Sequence, residues 1–279
     1  MIESLFRYEF LQNAFLTGIL IGIIAPLLGV FIVVRKLALI ADALSHITLS
    51  GIAASLLISK IWPTFIAVNP LYMGMGFSIV GALFIEKLRT VYKHYEELAI
   101  PIIMSLGIGF GVIFISMAKG FTVDLFGYLF GSVSAVSRSD FLVVGILSLF
   151  VITVIILFYK ELFLLSFDEE YGKTSGIPHR PLHFVFIILV AIVIAISMRI
   201  VGILLVSSLM TLPVAASMRM AKSFKQAIFF SILFGEISVI FGLISSYYLD
   251  LAPGGTIVVI ASIILVLTII KQRFVVKFH

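Results

Sequence analysis

Long uninterrupted apolar segments are the feature that most constrains the fold of this 279-residue chain. They run about 17–25 residues between clusters of charge, the length that a helix needs to cross roughly 30 Å of hydrocarbon. Only 12% of the residues are charged and 62% are hydrophobic, whereas a soluble domain carries about 25% charged residues. Continuous apolar runs also favour helices over a transmembrane barrel, whose strands alternate over about 10 residues. The sequence therefore predicts an all-α, polytopic transmembrane helical bundle.

The apolar segments predict about eight or nine spans in a single membrane domain that covers residues 1–279. The nine segments lie at residues 11–34, 37–60, 62–85, 98–118, 140–159, 184–199, 201–218, 227–249 and 255–270. Residues 119–139 are too polar and glycine-rich for a span, so we predict a short re-entrant or interfacial helix there. No internal repeat and no low-complexity linker divides the chain.

The basic residues are distributed in small groups between the apolar segments. The isoelectric point of 9.4 invites a nucleic-acid interpretation, but no basic stripe or tail is present, so we expect no nucleic-acid partner. With the C-terminal tail in the cytoplasm, 14 of the 19 Lys and Arg residues fall on the cytoplasmic side. This is the positive-inside pattern of a multi-pass membrane protein. The chain has no cysteine, which excludes thiolate metal sites.

Asp42 and His46 are ionisable residues inside the second predicted span. Four residues apart on a helix, they project from the same face, one turn apart. Ionisable groups at membrane depth usually line a pathway or a site, and a carboxylate with an imidazole is half a transition-metal site. Alternatively, Asp42 caps the start of the span and His46 hydrogen-bonds a neighbour. Ser45 and Thr48 make this stretch unusually polar, which favours the site.

Glu236 lies near the middle of the eighth predicted span, after about nine residues of apolar helix. A carboxylate at that depth must face protein or water rather than lipid. We therefore predict Glu236 as a third metal ligand beside the Asp42–His46 pair. The alternative is a protonated glutamate bonded to a neighbouring helix.

Breaks and small residues mark other points of interest along the spans. Residues 197–202 and 250–255 interrupt the apolar pattern; broken helices are common where transporters bind substrate, and the alternative is that both are loops. A bundle of this size also needs small residues where helices touch. The residues expected at such contacts are Gly18, Gly22, Gly107 and Gly111.

Residues 160–183 form the longest polar insertion. Asp168, Glu169 and Glu170 start a predicted short helix with acids in its first turn, as the helix dipole favours, and Gly176 follows its end. A short helix held at the cytoplasmic face offers a docking surface, whereas the alternative is an ordinary connecting loop. Because the chain has no G-x-x-x-x-G-K-[ST] loop, energy for any work must come from another subunit or from an ion gradient.

Three stretches of the sequence resemble the membrane permease subunit of the bacterial zinc/manganese/iron branch of ABC importers. They are residues 10–53, which contain the D-x-x-x-H element, residues 166–177 (SFDEEYGKTSGI), and residues 201–224 together with 242–259. The first stretch is the most specific, and its details resemble the zinc members more than the manganese members.

The resemblance implies a permease that works as a dimer of two copies of this chain on two ATP-binding cassette subunits. An extracytoplasmic metal-binding protein would deliver the ion, and residues 160–183 would couple to the ATPase. It ties the D-x-x-x-H pair, here Asp42 and His46, to the metal path, whereas Glu236 is inferred from burial alone. We expect no permanently bound cofactor and no covalent catalysis, with zinc as the favoured cargo, manganese next, and iron or a chelate after them.

Two other functions remain open from the sequence. A secondary metal transporter or channel driven by a gradient would work without an ATPase and would leave residues 160–183 free. An intramembrane metallo-enzyme would use Asp42, His46 and Glu236 as zinc ligands, but it needs a general base, and no residue is clearly fit for that role.

Overall fold

The computed structural model of the protein describes residues 8–62, 69–92, 95–118 and 123–277. The helices are α1 (Glu9–Val34), α2 (Ala38–Ile61), α3 (Pro70–Val91), α4 (Ala99–Met117), α5 (Val123–Phe130), α6 (Arg138–Leu157), α7 (Tyr159–Phe167), α8 (Glu169–Thr174), α9 (His179–Val201), α10 (Ile203–Met218), α11 (Phe224–Leu249) and α12 (Pro253–Lys277). A single 3₁₀ turn, Glu96–Leu98, leads into α4. Helices satisfy their own backbone hydrogen bonds, which hydrocarbon cannot do for them.

Eight helices of the described chain are long and apolar enough to cross a membrane. They are α1, α2, α3, α4, α6, α9, α11 and α12. Helix α10 is apolar but has only 16 residues, about 24 Å of helix, which is less than the roughly 30 Å of a bilayer core. The predicted all-α polytopic bundle of about eight or nine spans is therefore confirmed.

The third span begins later than the hydrophobic pattern predicts. Helix α3 starts at Pro70 and not at residue 62, because the Asn69 side chain accepts a hydrogen bond from Leu71 N at 3.1 Å and Pro70 occupies the first helical position. Asparagine before a helix and proline at its first residue are favourable at N-termini. Trp62 instead ends α2, and residues 63–68 lie outside the described part of the chain.

Helices α1, α2 and α9 form the buried centre of the bundle, with more than two thirds of their apolar windows buried. Helix α2 packs against α3 and α4 on one side and against α10 on another, while α1 packs against α10, α11 and α6. Helices α4, α6 and α12 lie at the periphery, where large apolar side chains such as Ile146 and Leu149 are exposed. These exposed faces suit contact with lipid.

Glycines lie at the closest helix contacts, as predicted. Gly18 and Gly22 of α1 face side chains of α11, and Gly107 and Gly111 of α4 face α2. A Cβ atom on Gly107 would lie 2.9 Å from the Ile47 side chain and 3.0 Å from its backbone nitrogen. Close approach through small residues is how membrane helices gain packing energy without a hydrophobic drive between them.

At the break between α9 and α10, the backbone of Gly202 lies directly against the backbone of Gly131. Gly202 and Gly131 have φ of 82° and 81°, a conformation that glycine adopts without steric cost. A Cβ atom on Gly202 would lie 2.6 Å from Gly131 N, and Ser132 N donates to Arg199 O at 3.0 Å. Helix α5, the predicted short helix of residues 119–139, packs beside this contact against α9 and α10. Helix α5 thus lies beside the N-terminal end of α10, the helix that is too short to cross the bilayer.

We expect Gly107→Ala to destabilise the protein and Gly109→Ala to leave it nearly unchanged. Overpacking of a tight contact costs about 1–3 kcal/mol, whereas a Cβ atom on Gly109 of the same helix meets no atom within 4 Å. Thermal unfolding of the two purified variants in the same detergent checks this. Equal unfolding midpoints would show that the contact between α4 and α2 is not tight.

Candidate functional site

Asp42 and His46 lie one turn apart on the same face of α2, and both side chains are half-buried. Leu37, and not Asp42, is the N-cap of α2, so the carboxylate is not consumed by capping the helix. Ser207 of α10 donates its hydroxyl to Asp42 Oδ1 at 3.5 Å, the outer limit of a hydrogen bond. The structure thus presents one oxygen and one nitrogen donor group together, and the carboxylate is only weakly held by this hydroxyl.

The hydroxyl groups around the pair are bonded within α2 itself. Ser45 donates to Ala41 O at 2.8 Å and Thr48 donates to Leu44 O at 2.7 Å, and both hydroxyls are buried. Such bonds to the carbonyl four residues earlier are common for serine and threonine in helices. The hydroxyls of Ser45 and Thr48 are therefore satisfied within the helix, whereas the side chains of Asp42 and His46 stay partly exposed.

Glu236 projects from α11 towards α1. A Cβ atom on Gly22 would lie 2.6 Å from Glu236 Oε1, and that oxygen is buried without a hydrogen-bond partner in the structure. The carboxylate thus faces protein rather than lipid, as expected for its depth. Gly22 provides the space that the carboxylate occupies.

The three predicted metal ligands do not come together in this conformation. Helix α10 packs against both α2 and α11, so it separates the helix of Asp42 and His46 from that of Glu236. Across the described residues, no group of three or more His, Asp or Glu side chains is arranged to hold a metal ion. Of the three predicted ligands, the structure therefore places only Asp42 and His46 together, on one face of α2.

A polar cluster on the opposite side from the predicted cytoplasmic face fixes the end of α9. Arg199 donates to Asp140 Oδ2 at 2.7 Å, to Asn69 Oδ1 at 3.1 Å, to Tyr128 Oη at 3.1 Å and to Ala135 O at 2.8 Å. The Asp140 side chain is 3% exposed. One guanidinium thus joins α3, α5, α6 and α9 beside the break between α9 and α10.

The predicted coupling segment, residues 160–183, contains α7, α8 and the first turns of α9. Helix α8 begins at Glu169, as predicted, and Asp168 caps it by accepting a hydrogen bond from Tyr171 N at 2.8 Å. Glu170 is exposed. The acids therefore lie at the N-terminus of α8, where the helix dipole favours negative charge.

Helix α8 ends as the sequence predicts. Gly176 has φ of 79°, and Ile177 N donates to Gly172 O at 3.2 Å. This is the left-handed helix ending that glycine favours. The short helix predicted for this stretch is therefore present, with Asp168 at its start and Gly176 after its end.

A cavity of about 860 Å³ opens beside this segment, between the ends of α1, α3 and α7 and the start of α9. Its charged and histidine lining is Arg35, Lys36, Arg89, Arg180, His179, His183, Glu86 and Glu96. Glu86 is engaged by His183 Nε2 at 2.8 Å and by Arg89 at 3.1 Å. Its four Lys and Arg side chains outnumber its two carboxylates, and both carboxylates are paired, so the cavity disfavours divalent cations.

Eight spans around a half-buried Asp/His pair, with a helical segment at the predicted cytoplasmic face, define a membrane transport subunit. The chain belongs to the ABC 3 transport family, whose model matches residues 7–272. It is 34% identical over 263 residues to the manganese transport system membrane protein MntC of Listeria monocytogenes, covering 94% of this chain and 91% of MntC. It is 31% identical over 266 residues to the high-affinity zinc uptake system membrane protein ZnuB of Haemophilus influenzae, covering 95% and 99%.

The fold agrees with that family. The structure of PsaBC from Streptococcus pneumoniae in complex with Fab superposes with a TM-score of 0.84 at 31% identity, over 100% of this chain and 98% of that one. The chain is therefore the membrane permease of a metal ABC importer, located in the bacterial cytoplasmic membrane.

Sequence patterns alone missed several of these partners. Ser207 reaches Asp42 from 165 positions along the chain, and no local pattern marks it. His183 looks like a solvated loop residue, yet it contacts the buried carboxylate of Glu86. A glutamate near the end of an apolar helix was the available signal, since such a group needs a partner.

We expect Arg199→Met to destabilise the protein strongly and Arg138→Met to change it little. Removing one partner of a buried ion pair costs about 3–5 kcal/mol because the other charge stays buried. Arg138 pairs with Glu9 at 4.0 Å with both side chains exposed, and such pairs contribute below about 1 kcal/mol. Thermal unfolding of the two variants in one detergent provides the comparison, and similar losses would show that the Arg199 cluster is not a structural anchor.

Proposed function

We propose that this permease moves a divalent transition metal into the cytoplasm, zinc in the first place and manganese next, with Asp42 and His46 as transient ligands. The observation that carries this proposal is that one carboxylate and one imidazole lie half-buried on a single face of α2. Both metals accept oxygen and nitrogen ligands, and zinc binds more tightly than manganese at most such sites. The relatives MntC and ZnuB are named for manganese and for zinc respectively.

The energy and the delivery of the ion come from other proteins in this proposal. Two copies of the chain associate with two ATP-binding cassette subunits, which hydrolyse ATP and engage the segment of residues 160–183. An extracytoplasmic binding protein supplies the metal. Membership of an ABC transport family favours this arrangement over a gradient-driven transporter and over an intramembrane metallo-enzyme.

In this mechanism the Asp42–His46 pair binds the metal ion weakly. Two ligands from one chain leave most of the metal shell to water, and a conduction pathway needs an ion that can leave again. The imidazole must be neutral to bind metal, so protons compete with the ion at low pH. In the described conformation Glu236 faces α1, and its proposed contact with the metal therefore requires another conformation in the transport cycle.

We expect His46→Ala to lower accumulation of one metal by roughly tenfold or more, because loss of a ligand costs at least as much as loss of a group that supports one. Cells that carry the chain with its ATPase and binding protein are compared at matched protein level. Zn, Mn and Fe are measured together by mass spectrometry, and the metal that falls is the cargo.

Ser45→Ala is the matched control, since this hydroxyl lies on the same helix but bonds only its own backbone. Uptake by this variant should equal that of the wild type. Unchanged uptake of all three metals in His46→Ala would place the metal path elsewhere.

A further inference from the structure

Arg35 connects the end of α1 to the coupling segment. Its Nε donates to Ser166 Oγ at 2.9 Å and its Nη2 donates to Leu162 O at 3.3 Å, both on α7. Its guanidinium carbon lies 4.6 Å from the ring centroid of Phe186 of α9, within the range of a cation–π interaction. One planar side chain thus donates two hydrogen bonds to α7 and packs against an aromatic ring of α9.

The turn that follows Arg35 is firmly hydrogen-bonded. Lys36 N donates to Val33 O at 3.0 Å and Leu37 N donates to Ile32 O at 2.9 Å, the pair of bonds that defines a Schellman ending. Lys36 has φ of 58°, a left-handed conformation that costs a residue with a Cβ roughly 1–2 kcal/mol. Helix α2 begins directly after this turn, so the position of Arg35 is linked to the start of α2 by a short, ordered connection.

A second set of contacts ties the same point to α3. Arg35 Nη1 lies 3.4 Å from His183 Nδ1, and His183 Nε2 lies 2.8 Å from Glu86 Oε1. Arg89 donates to Glu86 at 3.1 Å and to Glu96 at 2.9 Å. The ends of α1 and α3 and the start of α9 therefore meet at one polar cluster against α7.

We propose that Arg35 is the positioning residue that transmits movement of the coupling segment to α2 and so to the Asp42–His46 pair. The inference rests on the proposed function, in which an ATPase moves residues 160–183. When α7 is displaced, the Arg35 guanidinium that is hydrogen-bonded to it moves as well. The Schellman turn then transmits this movement to α2. Asp42 is the fifth residue of α2, within about 6 Å of its start.

The geometry distinguishes this role from simple charge stabilisation at a helix end. A basic group that only complements the dipole of α1 would stay near the last carbonyls of α1. The guanidinium instead crosses to α7 and binds a carbonyl and a hydroxyl there. The planar fork of arginine can bind two acceptors at fixed geometry, which a lysine ammonium cannot reproduce.

The test uses the complete importer, reconstituted in liposomes with its ATPase and binding protein. Zinc or manganese accumulated inside and ATP hydrolysed are measured on the same vesicles. In Arg35→Gln we expect the subunits to stay assembled and ATP to be hydrolysed, while metal transported per ATP falls roughly fivefold or more, a typical size for a lost coupling. Arg35→Lys should restore little of it.

A second variant, with a matched control, keeps the test decisive if Arg35→Gln does not fold. Ser166→Ala removes only one acceptor of the fork and should lower the same ratio by a smaller factor. Arg219→Gln is the matched control, because Arg219 is another arginine that follows a helix end on the predicted cytoplasmic side and bonds Gln272 at 3.1 Å. Its ratio should equal that of the wild type.

A covalent link between positions 35 and 166 can replace the hydrogen bonds of Arg35 directly. The chain has no native cysteine, so an Arg35→Cys/Ser166→Cys variant can be bridged with a short bifunctional thiol reagent. Bridging should restore the transport ratio if the fork works by holding α1 to α7. An unchanged ratio in Arg35→Gln, failure of the bridge to restore it, or loss of the ATPase from the complex would each overturn the proposal. Failure of the proposed function looks different, since the wild-type importer itself would then accumulate no metal.

Discussion

Hydrocarbon offers no hydrogen-bonding partner, and this shapes every polar contact in the bundle. Ser45 and Thr48 bond carbonyls of their own helix, and the Asp140 carboxylate is met by a guanidinium and a capping serine. Several polar side chains within the bundle thus find their partners inside the protein. Among the described residues, Asp42 accepts one long hydrogen bond from Ser207. Buried polar atoms without a partner include Glu236 Oε1, the hydroxyls of Thr17, Ser148 and Ser197, and Arg199 Nε.

Each end of the bundle has an arginine that connects several helices, and the two arginines differ in how tightly their surroundings are packed. On the side away from residues 160–183, Arg199 joins four helices through hydrogen bonds of 2.7–3.1 Å. At the coupling segment, Arg35 joins fewer elements, and its surroundings include a cavity of about 860 Å³. One end is therefore a compact anchor, whereas the other has room for movement around its contacts.

Much of the fold could be predicted from the sequence, because membrane spans depend on the length of apolar runs. The spacing of Asp42 and His46 also fixes their common face. The depth of Glu236 predicts that it faces protein or water, but the pattern of α11 does not say which neighbour it meets, and its position against Gly22 could not be predicted. The partnership of Arg199 with Asp140 spans 59 positions, and pairing at that distance depends on tertiary packing. The late start of α3 depended on Asn69 and Pro70, which an apolar count overlooks.

The hydroxyls of α2 have a consequence for how easily that helix moves. Because Ser45 and Thr48 bond carbonyls within α2, their hydrogen bonds travel with the helix and do not break when it shifts against a neighbour. Ser50 of α2 differs, because its hydroxyl donates to Gly107 O of α4 and so ties the two helices together. The helix that carries the Asp/His pair is thus attached to α4 at Ser50, whereas its Ser45 and Thr48 hydroxyls place no restraint on a shift against a neighbour.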